Sequence, residues 1–586
     1  MKPILLYDGR CGFCKIWIHY WQQLTGDRVE YASSQEAGAR YPQIPPRSFS
    51  EAVQLVRPDG TVASGAQAVY ETLGMEKIYE SSRLVSGLSE VVYRFIASHR
   101  GFFYQLTRFT FGTRIEPVRF EAAQWVFLRL LAIVYAAAFM SLAVQITGLI
   151  GTAGILPLQE YLTAAAQTFG ATRFLAVPTI FWLGGTDEIL RIACWAGVVF
   201  STLLFVGKLP RLMLILMFLL YLSLCSVGQD FLAFQWDALL LEAGFLAIFL
   251  GRARIVVWLF RWLVFRLYFL SGAVKLLSRD PTWRNFTALD FHFHTQPLPV
   301  RLAWYADKLP GWLQHGNTFL VLAIEIGVPF LIFAPRRIRH FGASLLIALQ
   351  VLILLTGNYA FFNLLTLALC VFLFDDRTFQ RLIPKRSSLP AGGSPGRLNR
   401  AVIAGLTAFI LILSAARLTE TFHGELPEPL RFLARVTAPF QVVNSYGLFS
   451  IMTTTRPEII VEGPNDGETW LAYEFRYKPG DLNRPPRWAA PHQPRLDWQM
   501  WFAALSDYKS NLWFVAFAAR LLESSPPVLA LLEKNPFPNY PPRFVRAMVY
   551  EYSFTDWETR RRTGAWWKRT PLGVYLPAIS LRPGAQ

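Results

Sequence analysis

The chain has 586 residues, of which 53% are hydrophobic and only 17% are charged, and its formal net charge at pH 7 is +17. Soluble globular domains carry roughly 25% charged residues. The deficit of charge, together with 47 phenylalanines and 19 tryptophans, argues against an ordinary soluble protein and for contact with lipid. Positive charge also collects in the cytoplasmic loops of membrane proteins. No basic segment carries a motif that reads nucleic acid, so we expect no nucleic-acid partner.

Residues 1–115 predict a small α/β domain with a thioredoxin-like order of elements. In chain order we expect a strand at 4–7, a helix at 12–24, a strand at 29–32, and a hairpin of 52–57 and 61–63. The hairpin is indicated by Asp59-Gly60, a strong turn signal between apolar stretches. The apolar run before Asp8 is too short for the core of a signal peptide, so we expect the N-terminus to stay in the cytoplasm.

Cys11 and Cys14 form a CxxC pair at the start of the predicted first helix. Unpaired backbone N–H groups and the positive end of the helix dipole favour a thiolate there. We expect Cys11 to attack a disulfide and Cys14 to resolve the mixed disulfide, while Asp8 either caps the helix or assists proton transfer. Half a zinc site is the alternative, but only His19 lies nearby where four ligands are needed. We therefore expect neither a metal nor another cofactor.

The stretch YDGRCGFC and the strand-turn-strand region at 49–69 resemble the DCC-type thiol–disulfide oxidoreductases. The resemblance covers the first 75 residues or so of the chain. It implies a thioredoxin-like domain that exchanges thiols and disulfides through Cys11 and Cys14, with a thiol reductant as a partner.

Nine apolar runs follow, each close to the length that a helix needs to cross a bilayer core of ~30 Å. They lie at 125–150, 189–206, 212–227, 231–250, 255–277, 318–334, 341–355, 359–374 and 401–416. We therefore predict a polytopic helical membrane domain at 120–420. Lysines and arginines concentrate in the linkers that share the N-terminal side, such as Arg336, Arg337 and Arg339. The positive-inside rule then places the N-terminus in the cytoplasm and, with an odd number of spans, the C-terminus outside.

No apolar run of membrane-spanning length follows residue 440 or so, and residues 440–586 predict a soluble α+β or mainly β domain on the outer face. The expected strands are 458–461, 470–477 and 548–554, and the expected helices are 498–504 and 512–523. The whole chain is therefore predicted to be multidomain, with an α/β part, a helical membrane part and an outer soluble part.

Three passages carry a second resemblance. They are GQDFLAFQWDALLLEAGFLAIF at 228–249, GNYAFFNLLTLALCVFLFDD at 357–376, and a long stretch at 444–505 that begins NSYGLFSIMTTTRPEIIVEG. These look like the lipase maturation factor family, over residues 120–570 or so. The resemblance implies an endoplasmic-reticulum membrane protein, in animals, that helps secreted lipases reach their active dimeric form. The DCC-type domain in front suggests a bacterial relative in the inner membrane, with a lipase or another secreted enzyme as client.

Charged residues inside the apolar runs are costly and are functional candidates. Asp237 and Glu242 lie five residues apart, about 140° around a helix, so they do not share a face. We expect Asp237 to pair with Arg261 or Arg266 of the next run.

Lys275 lies in YFLSGAVKLLSRDPTW, which resembles the membrane domain of vitamin K-dependent carboxylases, where a Gly-x-x-Lys lysine acts as a base. The alternative is a lysine that snorkels from a helix end. His292 and His294 would share one face of an extended segment. Without a third ligand we expect a structural or interfacial role for them rather than a metal site.

The leading hypothesis is a membrane-embedded, lipase-maturation-factor-like protein that assists the folding or assembly of secreted or envelope enzymes. The alternative is a membrane-tethered enzyme, either a thiol–disulfide oxidoreductase alone or a carboxylase-like catalyst that uses Lys275.

Overall fold

The structure is a computed structural model that describes residues 2–117, 119–251, 253–379, 396–464 and 468–581. Residues 380–395, which lie between the eighth and ninth predicted apolar runs, are outside the described residues. The chain divides into two compact units, one of Met1–Arg119 with Phe333–Phe341 and one of Phe120–Ile332 with Gly342–Gln586.

The first unit is an α/β domain built on a four-stranded sheet. Its elements are β1 (Ile4–Tyr7), α1 (Gly12–Thr25), β2 (Glu30–Ser33), α2 (Ser34–Ala37), α3 (Pro46–Glu51), β3 (Gln54–Val56), β4 (Val62–Ser64), α4 (Gly65–Thr72), α5 (Glu76–Tyr79), α6 (Arg83–Ser98) and α7 (Arg100–Thr110). The strands lie in the order β2-β1-β3-β4, with β1 parallel to β2 and antiparallel to β3. Successive residues of a strand face opposite sides, and Leu5 and Leu6 accordingly enter two different cores. The predicted α/β architecture is confirmed.

From Glu121 to Thr437 the described chain is helical. The helices are α8 (Glu121–Ala143), α9 (Ile146–Ile150), α10 (Leu158–Phe169), α11 (Arg173–Ala176), α12 (Asp187–Phe205), α13 (Pro210–Val227), α14 (Gln235–Ala247), α15 (Arg254–Leu277), α16 (Pro281–Arg284), α17 (Ala288–Thr295), α18 (Arg301–Asp307), α19 (Gly311–Gly327), α20 (Arg336–Thr356), α21 (Phe362–Cys370), α22 (Asp376–Phe379), α23 (Arg397–His423) and α24 (Glu428–Thr437).

Within the described ranges, seven helices are long and apolar enough to cross a membrane. They are α8, α12, α13, α15, α19 with its continuation to Phe333, α20 and α23. Each falls on one of the predicted runs, which supports an integral membrane protein. The first run, predicted at 125–150, breaks at Val144 and Gln145, so that α8 and the short α9 replace one long helix.

Two of the nine predicted runs form shorter helices. The run at 231–250 gives the 13-residue α14, and the run at 359–374 gives α21 with a 3-10 turn that ends at Leu373. Thirteen residues rise about 20 Å, less than the ~30 Å of a bilayer core. An apolar run does not show where a helix begins, and here the residues before α14 form a 3-10 turn at Gln229–Leu232.

The two ends of α8 contact different parts of the second unit. At its beginning, the Asp376 carboxylate accepts hydrogen bonds from the backbone N–H groups of residues 121–123 and caps the helix. In its last turn, the Ser141 hydroxyl accepts from the backbone N–H of Gln493 at 2.9 Å. One end of the helix bundle therefore meets the chain after α21, and the other end meets the C-terminal region.

The C-terminal region contains a second four-stranded sheet. Its elements are β5 (Pro457–Pro464), β6 (Trp470–Ala472), α25 (Arg495–Ala504), α26 (Leu512–Leu522), α27 (Pro526–Leu529), β7 (Val545–Phe554), α28 (Trp557–Thr563) and β8 (Trp567–Ile579). The strands lie in the order β6-β5-β7-β8 and are antiparallel. The predicted strands at 458–461 and 548–554 and both predicted helices are present, the strand predicted at 470–477 is shortened to β6 at Trp470–Ala472, and the sequence prediction missed β8. Buried residues of this region, such as Phe514 and Val545, belong to the same hydrophobic core as Phe127 of α8.

We predict that Gly197→Ala destabilises the protein and that Gly405→Ala does not. Gly197 on α12 lies against the buried ring of Phe139 on α8, where an added Cβ would overlap ring carbons, whereas Gly405 on α23 faces open space. Overpacking costs about 1–3 kcal/mol, but Ala is favoured over Gly by about 1 kcal/mol in an open helix. Thermal unfolding of the two variants in detergent measures the difference, and equal midpoints would contradict the close packing of α8 and α12.

Candidate functional site

The turn that carries the dithiol is ordered by Asp8. Its Oδ1 accepts hydrogen bonds from the backbone N–H of Arg10 and from the Gln35 side-chain amide, both at 2.9 Å. Gln35 in turn accepts from the backbone N–H of Gly9. The residue that caps α1 is Cys11, not Asp8, so the capping role expected for Asp8 is wrong. The Asp8 carboxylate instead fixes the loop between β1 and α1 that ends at Cys11.

Cys11 is placed to be a thiolate. As the N-cap of α1, it has extended backbone angles, and its Sγ accepts a hydrogen bond from the backbone N–H of Cys14 at 3.3 Å. A hydrogen bond from the Cys14 thiol, the Cys14 backbone N–H and the charge of Arg100 together lower the pKa of Cys11 to about 6, against the opposing effect of partial burial. A thiolate that is half exposed at a helix N-terminus is the usual attacking group of a dithiol.

Cys14 has the opposite character. The hydrogen bond that it shares with Cys11 and its own burial raise its pKa far above the usual range, and the negative charges of Cys11 and Asp8 act in the same direction. The raised pKa keeps Cys14 a thiol at neutral pH. This difference in pKa between the two cysteines matches the roles expected from the sequence, with Cys11 attacking and Cys14 resolving.

An apolar cavity of about 460 Å³ adjoins the dithiol. Cys14 and Trp17 of α1 form part of its wall, and Val92 and Tyr93 of α6 face them. Arg100 also borders it, and its guanidinium is fixed by hydrogen bonds to the backbone carbonyls of Ser50 and Glu51 at 2.7 and 2.6 Å. A cavity of this size can hold an apolar side chain or a small apolar molecule beside Cys14.

In the second unit, Asp237 makes a buried two-pronged ion pair with Arg495. The guanidinium donates to Oδ1 at 2.8 Å and to Oδ2 at 2.9 Å, and all of these atoms are excluded from solvent. The Tyr221 hydroxyl donates to the same carboxylate at 2.5 Å. The expectation that Asp237 pairs with Arg261 or Arg266 is wrong, because the cation comes from α25, 258 residues further along the chain.

Glu242, the other carboxylate of α14, points to a different side, as its spacing from Asp237 predicts. It forms a fully buried ion pair with Arg266 of α15. Its second oxygen accepts from the Tyr446 hydroxyl at 2.7 Å and from the backbone N–H of Asn444 at 2.9 Å. Both carboxylates of α14 are thus satisfied in part by the C-terminal region.

A third buried cluster was not predicted. The Arg456 guanidinium donates to the backbone carbonyls of His294 and Pro297, both at 2.8 Å, and to the Glu458 carboxylate. Glu458 also pairs with Lys478 at 3.0 Å. The cluster fastens β5 to the segment between α17 and α18. The only signal in the sequence is charged residues within an otherwise apolar strand, which require buried partners.

Lys275 is neither a snorkelling lysine nor an isolated one. Its ammonium lies 2.5 Å from the Glu325 carboxylate of α19 and over the ring of Trp283, and it is buried. Gly272, one turn earlier on α15, allows this approach, because a side chain there would overlap Ile326 and Glu325. The carboxylase-like role of Lys275 stays a prediction.

The two histidines are not on an extended segment. They lie in α17, where residues two apart point about 200° from each other, so the shared face expected for them is wrong. His292 contacts the Tyr359 hydroxyl at 3.4 Å, and burial and the charge of Lys275 lower its pKa to about 4. His294 bonds to Asp307 at 2.8 Å. In the part of the chain that the structure describes, no three His, Cys, Asp or Glu side chains are grouped as metal ligands.

Three family models match the chain. Residues 5–106 match a DCC1-like thiol–disulfide oxidoreductase, residues 122–381 match the lipase maturation factor transmembrane domain, and residues 442–577 match the lipase maturation factor C-terminal domain. The dithiol therefore lies in the first matched segment. The buried Asp237–Arg495 ion pair and the hydrogen bonds from Tyr446 and Asn444 to Glu242 join the second segment to the third.

Curated relatives match most of the chain. Lipase maturation factor 2 of Gallus gallus is 35% identical over 78% of this chain and 81% of its own length, and that of Homo sapiens is 34% identical over 78% and 82%. Lipase maturation factor 1 of Bos taurus is 33% identical over 80% of this chain and 90% of its own length. No solved structure gives a significant match.

We predict that Cys11 reacts with iodoacetamide with a midpoint near pH 6, well below the value of about 8.5 for an ordinary cysteine. The Cys14→Ala variant should raise the midpoint by about one unit or more, because it removes the thiol donor. Cys14→Ser keeps a hydroxyl donor and should shift it less. Mass-spectrometric alkylation rates of the full chain between pH 5 and 9 measure both effects, and a wild-type midpoint above 8 would contradict the assignment of Cys11 as the thiolate.

Arg495→Ala should lower the free energy of unfolding by about 3–5 kcal/mol, because it leaves the buried Asp237 carboxylate unpaired. The double variant Arg495→Met/Asp237→Leu removes both charges and should recover most of the loss. Glu428→Ala breaks an exposed pair with Arg431 and serves as the control, with a change within about 0.5 kcal/mol. Denaturant unfolding in detergent compares them. A single variant as stable as the control would show that the pair is not buried.

Proposed function

The chain belongs to the lipase maturation factor family, and we propose on that basis that it is a membrane-embedded factor that assists the folding or assembly of a secreted or envelope lipase. The similarity runs through both the transmembrane and the C-terminal domains, and this observation carries the proposal. The names of the relatives state that they act in lipase maturation. In this chain the two domains are joined by the Asp237–Arg495 ion pair and by the hydrogen bond from Tyr446 to Glu242.

The proposed arrangement places the dithiol domain at 1–115 in the cytoplasm, the helical domain at 120–420 in the bilayer and the region 440–586 outside. The basic linkers on the N-terminal side favour this orientation. Further support comes from contacts of the two short helices. At the start of α14, Asp237 pairs with Arg495 of the C-terminal region. Just before α21 the Asn358 side-chain amide donates to the Arg487 carbonyl, whereas Asp376, just after α21, caps the start of α8. With these two helices, the proposed number of passes is nine. A bacterial inner membrane is the proposed location.

The region 440–586 is the proposed client-facing part. It is held on the membrane helices by buried ion pairs and hydrogen bonds, so a bound client would meet a rigid platform. It also exposes large aromatic side chains, among them Tyr540 at 83% and Trp488 and Trp557 at 48% each. Exposed aromatic residues are typical anchors in protein recognition.

The first unit is proposed to act as a thiol–disulfide oxidoreductase, similar in sheet order to thioredoxin. The Cys11 thiolate would attack a substrate disulfide, forming a mixed disulfide and releasing one substrate thiolate. The Cys14 thiol, after losing its proton, would then attack the Cys11 sulfur, which releases the second substrate thiolate and leaves a Cys11–Cys14 disulfide. A thiol reductant of the cytoplasm would return both cysteines to thiols. The difference in pKa between Cys11 and Cys14 favours this function.

We predict that a photocrosslinking residue at Tyr540 captures a lipase, and that the same residue at Ile78 does not. Both positions are exposed, one in the C-terminal region and one in the first unit. The full-length chain would be expressed in a host that secretes a lipase. Immunoblots against that lipase read the adducts. Adducts at Ile78 in place of Tyr540 would contradict the assignment of the client-facing region.

The maturation role is tested in the organism that carries the gene for this chain. Deletion of the gene should lower secreted lipase activity per lipase molecule, and the wild-type chain should restore it. The Cys11→Ser variant should restore it equally well, since the dithiol is proposed to lie on the other side of the membrane. If deletion left the secreted lipase activity per molecule unchanged, the proposal would be contradicted. If the wild-type chain restored that activity and the Cys11→Ser variant did not, the maturation role would belong to the redox chemistry of the dithiol.

A further inference from the structure

Two consecutive helices of the first unit carry one apolar stripe each. Along α6, exposed apolar residues follow one another at intervals of four, three and four residues, and along α7 at intervals of four and three. At these intervals the side chains lie on one face of each helix. The residues, called here the α6–α7 stripe, are Leu84, Leu88, Val91, Phe95, Phe102, Leu106 and Phe109.

The α6–α7 stripe is exposed. Its side chains are between 41% (Leu106) and 80% (Leu84) accessible. The opposite faces of the same helices are the ones that pack: the Tyr93 hydroxyl accepts from the backbone N–H of Val53 at 3.0 Å, and the Tyr104 ring lies against Gly12. A soluble domain rarely leaves such a contiguous apolar surface open, and one this large marks an interaction site.

The charge around the stripe is positive. Between residues 83 and 119 the sequence has six arginines and two glutamates. Arg94 and Arg108 are exposed and lie on the flanks of the stripe. Glu90 is turned inward and accepts from the Tyr79 hydroxyl and the backbone N–H of Gln67. An apolar stripe with arginines along its edge is the pattern of a helix that lies in the surface of an anionic membrane.

The chain also limits how far the stripe can be from a bilayer. Only ten residues separate the end of α7 at Thr110 from the start of α8 at Glu121, the first candidate membrane helix. Ten residues span at most about 36 Å when fully extended. We therefore propose that the α6–α7 stripe binds the surface of an anionic phospholipid leaflet. Leu88 and Val92 of α6 also line the cavity beside Cys14, so lipid binding would hold one wall of that cavity at the membrane surface.

A second copy of the chain is the competing occupant, because the spacing of the stripe resembles that of a coiled-coil seam. Pairing two copies would bring the flanking arginines together, with few acidic residues on these faces to balance them. An anionic lipid surface provides the missing negative charge. The charge around the stripe therefore favours lipid.

The test uses the full chain in two sets of vesicles, one of phosphatidylcholine with phosphatidylglycerol and one of phosphatidylcholine alone. Each contains a phospholipid with a photoactivatable group near its head group, and mass spectrometry maps the labelled residues. In the anionic vesicles we expect labels at Phe95, Phe102 and Phe109. In the anionic vesicles, lipid labelling of these phenylalanines should fall about fivefold in each of the variants Arg94→Gln and Arg108→Gln. In vesicles of phosphatidylcholine alone, labelling of the wild-type chain should be weaker than in the anionic vesicles.

The matched control is Ile78→Asp, which changes an exposed apolar residue of the same unit outside the stripe and should leave the labelling unchanged. The variant Phe102→Asp/Phe109→Asp should abolish it, while the alkylation profile of Cys11 shows that the domain remains folded. Stripe residues labelled no more than Ile78 would overturn the proposal. Crosslinks between the stripes of two copies, in place of lipid labels, would also overturn it.

Discussion

The constraint on which the second unit depends is the pair of carboxylates on α14. Asp237 and Glu242 lie in an apolar helix with no access to water, and a buried carboxylate without a partner costs several kcal/mol. Their partners include residues of the C-terminal region, Arg495 for Asp237 and Tyr446 for Glu242, which also pairs with Arg266 of α15. The helices and the C-terminal region must therefore assemble together. The apolar core that they share, from Phe127 to Phe514, gives the same conclusion independently.

Because the helices and the C-terminal region depend on each other for folding, they are expected to act as one structural unit. A client-facing region that is locked to the membrane helices acts as a fixed platform rather than as a tethered soluble domain. The dithiol unit is compact by itself, and its chemistry needs only local features: a helix N-terminus, a neighbouring thiol and Arg100. The dithiol unit thus depends on local contacts, whereas the second unit depends on contacts between residues far apart in the sequence. This suits two activities that are separate in space, as proposed here for the two sides of a membrane.

Much of the local structure could be predicted from the sequence, because local patterns determine it. The strand at Ile4–Tyr7, the helix from Gly12 and the Asp59-Gly60 hairpin agree with the structure to within one or two residues. β8 was missed because Pro571, Gly573 and Pro577 obscure its strand pattern, which is tolerated because the strand lies at the sheet edge. The alternation of polar and apolar residues around His292 imitates a strand in what is a helix. The partner of Asp237 could not be predicted, since no local pattern indicates a contact across 258 residues.

The most direct test of the account is to divide the chain between the helices and the C-terminal region and express residues 1–425 and 440–586 as two polypeptides. If the buried carboxylates require cations and hydrogen-bond donors from the C-terminal region, the two pieces should copurify from the membrane when expressed together. The smaller piece alone should show no cooperative unfolding transition, because Arg495 and Arg456 lose their partners among the helices. A cooperative transition of the isolated piece in aqueous buffer would contradict the account.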